Sequence, residues 1–69
     1  MRLYLTDRWT NHLCDLPESG MGYQVVDVIL RSGEAIKDIV VFNGHEVKWP
    51  EEKPPITPDE IADIRMSGH

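Results

Sequence analysis

The chain is predicted to be mainly β: a small curved antiparallel sheet or an open SH3-like barrel, built on a central three-stranded meander with a short N-terminal helix. Two observations point there. Residues 23–42 hold two runs rich in Val and Ile, which suit a pleated surface. Asn43-Gly44 then follows, and this pair favours a two-residue type I′ hairpin turn, which needs positive φ at both central positions.

The elements follow in order. Residues 2–5 form a candidate short strand. Thr6 is a plausible N-cap for a helix through Asp15, with Trp9, Leu13 and Leu16 at helical spacing and Pro17 as its stop. Residues 17–22 hold two glycines and a proline, so they read as a loop. The first central strand runs from Tyr23 to Leu30 and the second from Ala35 to Phe42. A two-residue loop at Ser32-Gly33 would set Asp27 against Asp38, two like charges. A three-residue loop, Arg31-Ser32-Gly33 with Gly33 left-handed, sets Lys37 against Asp27 and is preferred.

In that register Val26, Val28, Ile36, Val40, Phe42 and Val47 share one face. Tyr23, Val25, Ile29, Ile39 and Val41 share the other. Both faces read as apolar, so terminal segments, barrel curvature or another subunit must cover the second. The third strand spans residues 45–49 and ends at Pro50. Residues 50–55, with three prolines, form an extended linker. Thr57-Pro58-Asp59-Glu60 has a capping-box pattern with proline at the first helical position. One helical turn and then a closing strand over residues 61–66 is the preferred reading over a two-turn helix. In the strand, Ala62, Ile64 and Met66 point one way, and Asp63 and Arg65 the other. Residues 67–69 are expected to fray.

One domain covers residues 1–69: an N-terminal strand, helix and glycine loop (1–22), the meander (23–49), the linker and helical turn (50–60), and the closing strand (61–66). So short a chain buries about 60% of its unfolded surface, which makes self-association an attractive source of stability. Cys14 is the only cysteine, so no intrachain disulfide forms, which suits a reducing, cytoplasmic setting. Residues 1–10 contain no apolar stretch of signal-peptide length, and no apolar run approaches a membrane span. With 12 acidic and 7 basic residues, the net charge of −5 opposes nucleic-acid binding, and the basic residues form no run.

Few residues suggest chemistry. On an extended segment His12 and Cys14 would share a face as two metal ligands, with His45 and His69 as further candidates. The alternative is a surface histidine and an inert thiol. Cys14 as a nucleophile would need a histidine base near it in space. Glu51-Glu52 and Asp59-Glu60 fall in linker and cap positions, unsuited to a shifted acid–base pair. The loop Gly20-Met21-Gly22 would let a backbone approach a ligand, or is simply a tight turn with Met21 tucked onto the core. Trp9, Tyr23 and Trp49 are either an aromatic contact surface or core.

The phrase Leu16-Pro17-Glu18-Ser19-Gly20-Met21-Gly22-Tyr23-Gln24, with the closing residues 57–64, resembles a group of small bacterial proteins of unknown function. The likeness covers residues 16–66. It implies the strand reading of residues 61–66 and no activity. The run Val28 to Gly33, followed by Asp38 to Asn43, is similar to paired strands of Sm-type and SH3-type barrels. It departs from them at Lys37 and Asp38, where a glycine is usual, and in lacking a second Sm motif.

The leading expectation is a non-catalytic protein-interaction domain without a cofactor. Its expected partner is a second copy of itself, as a homo-oligomer (a dimer), or another protein. Neither nucleic acid nor membrane is expected as a partner. The alternative is a small ligand- or metal-binding module using the 20–22 loop or the His12/Cys14 pair.

Overall fold

A computed structural model describes residues 2–18 and 20–67. It contains β1 (Arg2–Tyr4), α1 (Asp7–Cys14), β2 (Tyr23–Leu30), β3 (Ala35–Phe42), β4 (Glu46–Lys48), a 3-10 turn (Pro58–Glu60) and β5 (Ile61–Met66). The strands form one unclosed antiparallel sheet in the order β1-β4-β3-β2-β5.

Helix α1 begins where Thr6 holds an extended backbone and its carbonyl takes the Thr10 N–H at 3.0 Å. Trp9 and Leu13, one turn apart, are its buried residues. Its last carbonyls are met by a side chain from the sheet. The Gln24 amide nitrogen donates to the oxygens of Leu13, Leu16 and Pro17 at 3.0, 3.2 and 3.3 Å. Gln24 is the one buried polar side chain among the described residues, and this satisfies it.

The meander's turns match their residues. Asn43 (φ 54°) and Gly44 (φ 75°) both take positive φ, and His45 N–H donates to Phe42 O at 3.2 Å. Gly33 has a φ of 95° and closes the three-residue loop by donating to Leu30 O at 2.9 Å.

The register departs from expectation inside the hairpin. Near the turn, Val28 faces Ile36 and Ile29 faces Ala35, as the three-residue loop requires. Beyond Asp27 it slips by one, so that Val26 faces Ile39 and Val25 faces Val40. Lys37 and Asp38 both stand opposite Asp27, in a β-bulge with Asp38 at a φ of 59°. Asp27 Oδ1 accepts the Asp38 N–H at 3.2 Å and the Ser67 hydroxyl at 3.0 Å, which offsets the close approach of two carboxylates.

The bulge reassigns the faces, because a one-residue slip flips every later side chain. Ile39 and Val41 move into the core, and Val40 and Phe42 move out of it. The core comprises Leu3, Val26, Val28, Ile36, Ile39, Val41, Val47, Ile61 and Ile64 from or beside the sheet, closed by Trp9, Leu13 and Trp49.

The last strand is held from both sides. The Thr57 N–H donates to Glu60 Oε2 at 2.7 Å, the capping box the sequence predicts. Arg31 Nε donates to Asp59 O at 2.6 Å and ties the first hairpin turn to the 3-10 turn. A second bulge sets Leu30 against Ile61. Ile61 is therefore buried and Ala62 exposed, whereas the predicted alternation had Ala62 sharing a side with Ile64 and Met66. Ser67 is anchored, not frayed: its N–H donates to Val25 O at 3.1 Å. The rest of the expected frayed tail lies outside the described residues.

Candidate functional site

The pairing lets the outer face of the sheet be read in rows. The first row crosses Tyr4, Glu46, Phe42 and Tyr23. The second crosses Arg2, Lys48, Val40 and Val25. Asp27 and Arg65 form the third, and Ile29 and Asp63 the fourth, on the β2–β5 side. Helix α1 lies against the other face, so Val25, Ile29, Val40 and Phe42 are left half-exposed.

Three large hydrophobic side chains remain exposed among the described residues. Tyr4 is 60% exposed, Tyr23 37% and Met21 100%. Tyr4 and Tyr23 flank the first row, and Met21 stands two residues before Tyr23 at the loop tip. A monomer gains nothing by leaving a methionine wholly in water, and flexible thioethers are common at adaptable contact surfaces. The Arg2 guanidinium lies 5.7 Å from the Phe42 ring centre and pairs with Glu46. His45 stacks on Tyr4, with ring centres 6.4 Å apart.

The glycine loop is fixed by its neighbours. Gly22 has a φ of 79°, donates to Glu18 Oε2 at 3.1 Å and accepts the Asn43 N–H at 2.9 Å. The Tyr23 ring lies where a side chain at residue 20 would be: a Cβ there would stand 2.3 Å from it. Gly20 is thus required by packing against Tyr23. Met21 projects outward instead of tucking onto the core. Between this loop, the Asn43-Gly44 turn and the end of α1 lies an open cleft of about 530 Å³, lined by residues that include Cys14, Glu18 and Asn43.

The other candidates separate. Trp9 is 4% exposed and Trp49 2%, so of the aromatic trio only Tyr23 reaches the surface. The Trp49 indole N–H donates to Pro54 O at 3.0 Å and anchors the linker. His12 and Cys14 sit on a helix, where residues two apart point to nearly opposite sides. Cys14 is exposed. His12 Nε2 donates to Ile64 O at 2.7 Å. The pair therefore does not present two ligands to one metal. Among the described residues no group of three His, Cys, Asp or Glu side chains is placed to hold a metal ion. His69 lies outside the described residues.

Among the described residues, Asp63 is the one titratable group with a clear shift. The side-chain hydrogen bond from Arg65, at 2.7 Å, lowers its pKa below the ordinary aspartate range, against the opposing effect of burial. The Ile64 N–H, at 2.9 Å, adds to the lowering. The Ile64 amide and carbonyl are thus both occupied by side chains, Asp63 and His12. This blunts the outer edge of β5, which would otherwise invite another strand.

Sequence reasoning missed Val40, Phe42 and Tyr4 as surface residues and Gln24 as a structural one. The signal for the first two was present: Ile36 and Ile39 are three apart around Lys37-Asp38, an odd spacing that breaks a period of two. Gln24 gave no such signal. Among the described residues no helix is long and apolar enough to cross a membrane. Comparison with protein-family models, curated proteins and solved structures finds no match for the chain.

Proposed function

We propose that this chain is a non-catalytic protein-interaction domain that self-associates through the outer face of its sheet. The carrying observation is the row of Tyr4, Phe42 and Tyr23 across the outer face of the sheet, the face opposite helix α1, with Val25, Val40 and Ile29 half-exposed beside it. Aromatic residues and methionine with a flanking arginine are the composition favoured at the centre of protein interfaces. Bonding and burial account for the other candidates, including His12, Trp9 and Trp49. The exposed thiol of Cys14 is compatible with a reducing cytoplasmic setting.

Neighbouring strands lie ~4.8 Å apart, so five of them offer well under the ~800 Å² per partner of a standard interface. Association is therefore weak and concentration-dependent. Sedimentation equilibrium up to about 1 mM is expected to show a mass rising towards the dimer, with Val40→Lys, a charge at the centre of the face, remaining monomeric. A wild-type protein that stays strictly monomeric over that range overturns self-association and gives the face to a chain of different sequence.

A further inference from the structure

The open cleft beside the end of α1 has a charge character of its own. Its walls come from three segments, the 18–22 loop, the Asn43-Gly44 turn and the end of α1, and hydrogen bonds lock these together. The Asn43 N–H donates to Gly22 O at 2.9 Å, and the Gln24 amide holds the carbonyls of Leu13, Leu16 and Pro17. A cleft built this way is largely pre-formed, and its volume of about 530 Å³ falls within the range of small-molecule sites. Glu18 is the one charged side chain among the described residues that line it, and no lysine or arginine is among them. Helix α1 ends here at Cys14, so the negative pole of its dipole acts in the same sense. Asp15 follows, exposed, and adds a further negative charge. Of the basic side chains on these elements, Arg8 lies over the Trp9 ring, 4.8 Å from its centre. His12 is bonded to Ile64 O, and His45, next to the turn, has its Nδ1 3.2 Å from Asn43 O and its ring against Tyr4.

Glu18 is also held in place. Its Oε2 accepts the Gly22 N–H at 3.1 Å, and its Oε1 has no partner among the described residues. Leu16 lines the cleft beside it, as does Tyr23, whose ring lies across Gly20. We infer that the cleft binds a small organic cation, a primary ammonium on a short alkyl chain. The ammonium meets Glu18 Oε1, and the chain lies along Leu16 and Tyr23. A guanidinium fits less well, because its planar fork is matched by a carboxylate with both oxygens open, whereas an ammonium needs one. Two sources carry this group: a free alkylamine, and a lysine side chain of another protein. The inference does not depend on self-association.

Backbone amide shifts followed by NMR during titration with n-butylamine test this. At about pH 7 the amine is protonated, as a lysine is, and total salt is held constant. Shifts at Gly22, Asn43 and Gly44 are expected to saturate with a Kd of about 1–10 mM, the level open to a ligand of so few atoms. n-Butanol, similar in length but uncharged, is expected to bind at least about tenfold more weakly. Glu18→Gln keeps an acceptor for the Gly22 N–H, removes the charge and is expected to weaken butylamine binding by about tenfold. Glu52→Gln changes the net charge equally in the linker and is expected to stay within about twofold of wild type. Thermal melts establish that both variants are folded. N-acetyl-lysine methylamide binding more tightly than butylamine assigns the site to a lysine of a protein, and the reverse order assigns it to a free amine. Shifts that never saturate overturn the proposal, as does butanol binding equally well. It also falls if folded Glu18→Gln binds butylamine no more weakly than Glu52→Gln. Butylguanidine binding more tightly than butylamine overturns the choice of an ammonium.

Discussion

Replacing Gln24 with leucine tests whether one buried amide joins the helix to the sheet. The substitution keeps nearly the same volume, so it opens no large cavity, but it removes the donor to three carbonyls. Leu13 O retains the Leu16 N–H at 3.0 Å. The Leu16 and Pro17 oxygens lose the Gln24 donor. An unsatisfied buried polar group costs about 1–3 kcal/mol, and the two carbonyls are only part-buried, so the expected loss is about 2–3 kcal/mol. For a domain of this size each kcal/mol shifts Tm by about 4–8 °C, which gives a drop of about 10–20 °C. Native stability near 0.1 kcal/mol per residue makes this a large share of the total. Trp9 and Trp49, both buried, report unfolding by fluorescence in urea. A Gln24→Leu variant within about 0.5 kcal/mol of wild type refutes the claim that the amide holds the helix end.

Two further outcomes concern the edge of β5. His12→Ala removes the donor to Ile64 O and is expected to cost about 1–2 kcal/mol in urea unfolding. Its amide hydrogen exchange should also rise along β5, and unchanged exchange there counts against the edge-capping role. Asp63 has a folded pKa below its unfolded value, so its ionised form stabilises the fold above about pH 4, and that stabilisation is lost as pH falls through the folded pKa. The stability gap between wild type and Asp63→Asn should therefore narrow below about pH 4; a gap that stays constant to about pH 2.5 contradicts the lowered pKa.

Local chemistry sufficed for the elements and most of their ends. The capping pattern at Thr57–Glu60, the stop at Pro17, the type I′ pair Asn43-Gly44 and the left-handed Gly33 each act over a few residues, and each appears as the residues require. The closing strand was legible for the same reason. What a surface residue does was legible only where its side was legible, and sides depend on register. The sequence predicted two apolar faces on the strict period of two. The bulge at Lys37-Asp38 resolves them into one core and one half-exposed stripe.

That bulge, the slip at Ile61, and the bonds from Gln24 to the helix end and from His12 to Ile64 are long-range matters. They arise when α1 and β5 reach their places on the sheet, and no short window of sequence contains both partners. The sequence by itself determined that a small antiparallel meander forms, because turn geometry and β-branching are properties of neighbouring residues. Only the tertiary structure decided that Val40 and Phe42 face outward beside Tyr4 and Tyr23, because one extra residue in one strand reverses every side chain beyond it.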